Sequence, residues 1–248
     1  MIDPAMTAPQ TLLLLCALLG SATAGAADAL LPCESRSLGF DLAEVGWKHV
    51  PLSKLKRDTA YAVVQAGDRR AVLRASADRS ASLYAAALKA PIRTPTTLSW
   101  DWKADALVPG ADNRDKARED APLRVIVAFD GDHAKLPEAE QTRFKRAKAL
   151  SGRQPPYAVL MYIWSDQVAV GSVIPSAHTS QIKMLAVASG PGGLGRWHSV
   201  QRKPADDYRQ AYGAEPGPLL GVAVMTDTDN TGTKAVGEYA GIRIDCGG

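Results

Sequence analysis

Ten runs of six to eight residues, rich in apolar and β-branched side chains, recur between Thr59 and Ile244, and turn-forming residues fill many of the gaps. The runs are 59–65, 71–76, 82–88, 96–103, 124–130, 158–164, 182–189, 197–202, 219–226 and 238–244. Gaps such as Gln65-Ala-Gly-Asp68 and Ser189-Gly-Pro-Gly-Gly193 hold the Gly, Pro and Asp that let a chain reverse. A parallel α/β sheet would need a helix between most strands, and the sequence does not supply them. The pattern predicts an all-β fold, a β-sandwich of jelly-roll or concanavalin-like type.

Periodicity assigns the faces. In Thr97-Leu-Ser-Trp-Asp-Trp-Lys103, Leu98, Trp100 and Trp102 share one side while Thr97, Ser99, Asp101 and Lys103 share the other, as in a strand buried on one face. Ala158-Val-Leu-Met-Tyr-Ile-Trp164 is apolar on both sides and reads as a central strand, as does the run from Leu219 to Met225. Two short helices are expected. Residues 137–150 carry Glu early and Lys and Arg late, which suits the helix dipole, and residues 204–212 begin with Pro and end before Gly213. No internal repeat or linker demands a second domain, so residues 25–248 are expected to form a single sandwich.

The ends of the chain point to export. Residues 12–19 read LLLLCALL, too short to span a bilayer, and Ala22-Thr23-Ala24 fits a signal-peptidase site, so residues 1–24 read as a signal peptide even though no Lys or Arg precedes the apolar run. Cleavage removes one acid, Asp3, and no base, raising the formal net charge from +3 to +4. That mild excess permits an anionic glycan or surface as partner but does not imply nucleic acid. No later stretch is apolar enough to cross a membrane. Of the three cysteines, Cys16 leaves with the signal, and Cys33 with Cys246 remain near the two ends. In the periplasm or outside the cell these two should pair, which requires the first and last strands to lie side by side. Such a loop would stabilise the fold by about 4–5 kcal/mol in the chain-entropy account.

Several motifs together have a familiar arrangement: Trp100-Asp-Trp102, Asp115-Lys-Ala-Arg-Glu-Asp120 leading into Arg124-Val-Ile-Val-Ala-Phe129, Tyr162-Ile-Trp164, Ser189-Gly-Pro191 with Trp197, Asp206-Asp-Tyr208, and Met225-Thr-Asp-Thr-Asp-Asn-Thr-Gly232. Across about residues 40–244 the chain resembles the bacterial family catalogued as domain of unknown function 3047. The resemblance implies an exported β-rich domain. It implies no activity, and no catalytic residues carry over from it.

Three features bear on chemistry. Asp227, Asp229, Thr231, Gly232 and Glu238 stand at positions one, three, five, six and twelve of a segment that echoes an oxygen-rich calcium loop. The strand-like flanks and the Thr at position five favour a polar hairpin turn instead. No cofactor other than this calcium is suggested. The second feature is the charged cluster Asp112, Asp115, Lys116, Arg118, Glu119 and Asp120, from which Asp115 and Asp120 are candidate ligand contacts. It reads otherwise as a solvated loop, with Asp120 placed to serve a buried ion pair beside Arg124. Third, Trp197 follows a Gly-rich segment and Tyr208 sits on a polar helix. Both are candidate ligand contacts, whereas Trp100 and Trp102 belong to an apolar strand face. Scattered histidines and the absence of a G-x-S-x-G sequence give no support to a nucleophilic triad.

The leading expectation is a non-catalytic envelope module that binds a glycan or a similar extended polar ligand, with a polysaccharide or envelope component as partner. One rival is a glycoside hydrolase or polysaccharide lyase using carboxylates from 112–120 or 227–238. The other is a structural or assembly protein of the envelope.

Overall fold

The computed structural model describes residues 32–53 and 55–247. The expected signal segment, 1–24, lies outside the described residues. Thirteen strands and two α-helices follow one another: β1 (Arg36–Ser37), β2 (Lys48–Pro51), β3 (Ala60–Ala66), β4 (Arg69–Asp78), β5 (Ser82–Ile92), β6 (Thr97–Ala104), β7 (Arg124–Phe129), α1 (Glu138–Ser151), β8 (Ala158–Ser165), β9 (Val173–Pro175), β10 (Ile182–Ser189), β11 (His198–Arg202), α2 (Pro204–Tyr212), β12 (Leu219–Met225) and β13 (Lys234–Asp245). All ten expected runs form strands. β1, β2 and β9 were not legible, because two to four residues are too few to display a period.

The strands form a β-sandwich of two sheets. One, here the β6 sheet, runs β11-β6-β13-β4-β3 with β1 also paired to β13; the other, the β7 sheet, runs β2-β5-β12-β7-β8-β10-β9. Pairing is antiparallel except between β8 and β10. In β6 the expected alternation holds: Leu98, Trp100, Trp102 and Ala104 are buried, and Thr97, Ser99, Asp101 and Lys103 are half-exposed. The inward tryptophans meet the facing sheet, with ring centroids 5.2 Å apart for Trp100 and Tyr162 and 6.3 Å apart for Trp102 and Trp164.

The central strands of the β7 sheet behave differently. Every residue of β7 and β8 is buried. Val125, Val127, Phe129, Leu160, Tyr162 and Trp164 join the core between the sheets. Ile126, Ala128, Val159, Met161 and Ile163 turn the other way into a second apolar cluster. Leu52, Val168 and Ile174, from segments outside the central strands, complete that second cluster. Helix α2, closed by Gly213 in the left-handed region at φ 69°, turns Tyr208 and Ala211 inward. Among the described residues, no helix is long and apolar enough to cross a membrane.

Tyr239 ties the two sheets together. Its hydroxyl accepts the Arg124 backbone N–H at 3.2 Å, donates to the Met225 carbonyl at 2.6 Å and lies 2.9 Å from Thr226 Oγ1. A side chain from β13 thereby completes the backbone bonding where β7 begins and β12 ends.

Cys33 and Cys246 form a disulfide across 213 residues, beside the β1–β13 pairing of Arg36 with Ile244. The short β1 has little else to hold it, since both its residues are exposed. A loop of this length should contribute about 5 kcal/mol in the chain-entropy account. The double variant Cys33→Ser/Cys246→Ser is therefore expected to melt about 10–20 °C below the oxidised protein. Differential scanning calorimetry of the two proteins is the check, and coincident transitions would refute the assignment.

Candidate functional site

The outward face of the β6 sheet is polar. β11 pairs with β6 in a register that sets Ser199 opposite Asp101 and Gln201 opposite Ser99. These four side chains border a groove closed on the other strand by Gly241. Strand β13 is irregular here between Ala240 and Arg243, and Gly241 adopts φ +60° beside the Asp101 carboxylate. A side chain at that position would be strained and would crowd Asp101.

Asp101 organises the groove. Its Oδ2 accepts from Arg69 Nη1 at 2.5 Å, and its Oδ1 accepts from Ser199 Oγ at 2.5 Å. Arg69 opens β4 immediately after the turn at Gly67, and its guanidinium lies 4.8 Å from the centre of the Trp197 ring. The cation holds the indole in place through its π face, an interaction worth about 0.5–1 kcal/mol at such exposure. Trp197 stays partly exposed.

The Gly-rich segment before Trp197 forms a fixed turn. Gly195 N–H donates to the Ala104 carbonyl at 2.9 Å, and His198 Nε2 donates to the Gly193 carbonyl at 2.7 Å. Gly193 has φ +98°, and a Cβ there would stand 2.6 Å from the His198 ring, so the turn needs glycine. His198 in turn meets Trp164 edge-on at 5.0 Å. Trp197 is thus positioned from below by the turn and from the side by Arg69. The result is an ordered surface with one aromatic face and a row of hydroxyl, amide and carboxylate groups, suited to a polyhydroxylated ring with apolar faces.

The other residues singled out in the sequence lie elsewhere. Tyr208 is buried in the main core, edge-on to Phe129 at 4.9 Å, and burial raises its phenol to about 12. Asp115 pairs with Arg118 at 2.9 Å in a surface loop. Glu238 lies on β13, chelated by Arg74 at 2.7 Å and reached by Lys103 at 3.4 Å. Thr231 donates its hydroxyl to Asp120 Oδ2 at 2.7 Å, and its backbone N–H reaches the same oxygen at 2.7 Å. The segment 226–233 connects β12 to β13, and Glu238 is held apart from it in mid-strand.

Asp120, Asp227 and Asp229 do converge, with carboxylate oxygens within 4.8 Å of one another. The chain's own cations already answer two of them: Arg124 Nε and Nη2 hold Asp227 at 2.7 and 2.9 Å, and Lys56 holds Asp229 at 2.5 Å. Burial and the neighbouring carboxylates push the Asp227 carboxyl up to about 7, against the pull of Arg124. Asp120 fixes the 226–233 connection, and the buried ion pair beside it joins Arg124 to Asp227.

Arg124 and Asp227 side chains are 3% and 6% exposed, whereas Lys56 and Asp229 are 31% and 15% exposed. Breaking the first pair strands a buried guanidinium. Asp227→Ala is therefore expected to cost about 3–5 kcal/mol, and Asp229→Ala about 1 kcal/mol or less. Urea unfolding of both variants checks this, and equal losses would show that the pair is not the anchor of this corner.

Of the groove residues, Ser99 and Asp101 were legible as the outward side of β6, but Arg69 was not. It reaches Asp101 across 32 positions of sequence, and no local pattern reports such a contact.

Among solved structures, the family 11 carbohydrate-binding module of the cellulosomal cellulase Lic26A-Cel5E of Clostridium thermocellum aligns with 7% identity and a TM-score of 0.44, covering 89% of this chain and 97% of that chain. No curated protein matches the chain in sequence. The sequence model of the family described as Protein of unknown function (DUF3047) matches residues 45–243, and the chain belongs to that family.

Proposed function

We propose that the protein is a non-catalytic module of the cell envelope that binds a glycan or a similar extended polar ligand along the outward face of the β6 sheet. The observation that carries this reading is the Trp197–Arg69–Asp101–Ser199 chain of contacts, which holds one partly exposed indole beside a groove of hydrogen-bonding groups. Sugar rings present apolar C–H faces to an aromatic ring and hydroxyls to polar neighbours, and this surface offers both. Its side chains are already held by one another, so little conformational entropy remains to be lost on binding. The disulfide supports an oxidising compartment, periplasmic or extracellular.

Binding is favoured over hydrolysis by the groove's chemistry. A glycosidase of the usual kind places two carboxyl groups across the scissile bond. Among the groove-lining residues Asp101 is the carboxylate, and both of its oxygens are engaged by Arg69 and Ser199.

Affinity electrophoresis through gels containing neutral and anionic polysaccharides tests the proposal. At least one polysaccharide should retard the wild-type protein. Trp197→Ala should weaken that interaction about tenfold or more, as loss of a central aromatic contact does. Tyr208→Phe, which changes a residue buried in the main core and outside the groove lining, should leave it intact. Absence of retardation across the whole panel would sink the reading.

A further inference from the structure

One edge of the β7 sheet is only half covered. β2 pairs with β5 over Lys48–Pro51, opposite Ser82–Ala85. On the N-terminal side of Lys48 the chain leaves β5, because Gly46 takes φ +69° and closes a short 3-10 helix at Ala43–Val45. Among the described residues, no strand pairs with the rest of that edge, from Ala86 to Ile92.

The pairing on the other side of β5 is interrupted as well. The register with β12 passes from Ala87↔Gly221 directly to Ile92↔Leu219. Leu88, Lys89, Ala90 and Pro91 therefore face one residue, Leu220, and β5 bulges. Leu220 offers one N–H and one carbonyl, against three N–H groups and four carbonyls in the bulge, since Pro91 has no N–H. No backbone bond outside the sheets takes up the remainder among the described residues. Unpaired backbone groups along a sheet edge are a template for another strand.

A groove of about 690 Å³ runs along this edge. It touches every residue from Ala85 to Ala90. Side chains alternate between the two faces of a strand, so a space that meets successive residues meets the strand edge-on. Leu38, Val45, Val50 and Leu88 give it apolar walls.

The charges around the groove are mostly basic. Arg36, Lys48, Lys89 and Arg153 line it against Glu44. Arg36, Lys48 and Lys89 have no ion pair or side-chain hydrogen bond among the described residues. Glu34, Asp41 and Arg93 lie close in sequence without lining the groove, and counting them leaves bases in excess. The Arg243–Asp245 pair, beside Ser37, cancels itself. Arg153 also follows the basic run Arg143, Lys145, Arg146 and Lys148 of α1. A second copy of this edge would bring two such sets of cations together, so the charge selects an acidic occupant instead.

We propose that this edge receives an extended acidic segment of a partner protein, added as a strand beside Leu88–Ala90 with its Asp or Glu side chains against Arg36, Lys48 and Lys89. Backbone bonds supply affinity, and the side chains supply selection. The groove shares no residue with the proposed glycan surface and does not depend on it.

Three fluorescent heptapeptides test this by anisotropy at low ionic strength: Val-Glu-Val-Glu-Val-Glu-Val, the same peptide with Lys for every Glu, and the acidic peptide N-methylated throughout. The first is expected to bind saturably and at least about tenfold more tightly than the other two. It should also protect the amides of Leu88, Lys89 and Ala90 from hydrogen exchange. Lys48 and Lys89 are exposed, and Lys48→Glu/Lys89→Glu is expected to weaken the acidic peptide about tenfold and to favour the lysine peptide. No saturable binding, equal binding of the lysine peptide, undiminished binding of the N-methylated peptide, or unprotected amides would each overturn the assignment. So would binding of phosphatidylglycerol vesicles in place of the peptide, or a dimer in sedimentation velocity that the acidic peptide does not displace. If the double variant does not fold, the three peptides on wild-type protein decide alone. Retardation by a polysaccharide should persist in the double variant, which separates the failure of one site from the failure of the other.

Discussion

The central strands of the β7 sheet are apolar on both faces, and the rest of the structure accommodates that fact. A strand such as Ala158–Ser165 cannot leave either side in water without exposing a large continuous patch. One side is covered by the β6 sheet through Trp100, Trp102 and their partners. The other is covered by short and irregular pieces, including β2, β9 and the residues around Leu52 and Val168. A full sheet makes a close-packed cover, whereas separate segments meet imperfectly.

The same constraint divides labour between the two outward faces. The β6 sheet is buried on one side only, so its outer side is free to carry paired charges: Arg69 with Asp101, Arg74 and Lys103 with Glu238, Lys234 with Asp78. The partly exposed pairs Arg69–Asp101 and Lys234–Asp78 contribute little stability individually, whereas Glu238 is buried beneath its two cations. The pairs fix the geometry of the surface, and Asp101 illustrates how, since it holds both the arginine that steadies Trp197 and the serine of the neighbouring strand. On the β7 sheet the Arg124 guanidinium, set in the apolar cluster, needs a buried counter-charge, and Asp227 is brought to it from the end of β12. Tyr239 then satisfies the backbone at the same corner from the other sheet. Strand entry, ion pair and inter-sheet bond are therefore one mechanical unit.

Which features were legible in the chain follows from the range of the forces involved. Alternation in Thr97-Leu-Ser-Trp-Asp-Trp-Lys103 is a property of neighbours in sequence, and it correctly placed both tryptophans in the core and Asp101 outside. Helix 204–212 was readable because proline and glycine mark its ends through local backbone geometry. Tyr208 shows the limit. Its polar helix suggested exposure, but α2 lies across the core and turns the tyrosine onto Phe129. In the segment 227–238, spacing left open an oxygen-rich loop beside the favoured polar hairpin, and only strand register shows that Glu238 meets Arg74 and Asp227 meets Arg124.

The sequence by itself determined the class of fold, the strands that lie at the centre, and the two cysteines that must meet. Each of these depends on side-chain alternation or on residue type, which a linear chain states directly. Only the tertiary structure decided that Arg69, Asp101 and Trp197 form one surface, and that Arg124 meets Asp227 within an apolar cluster. Those contacts join residues far apart in the chain, so they come into being only when the sheets have stacked and their registers are set.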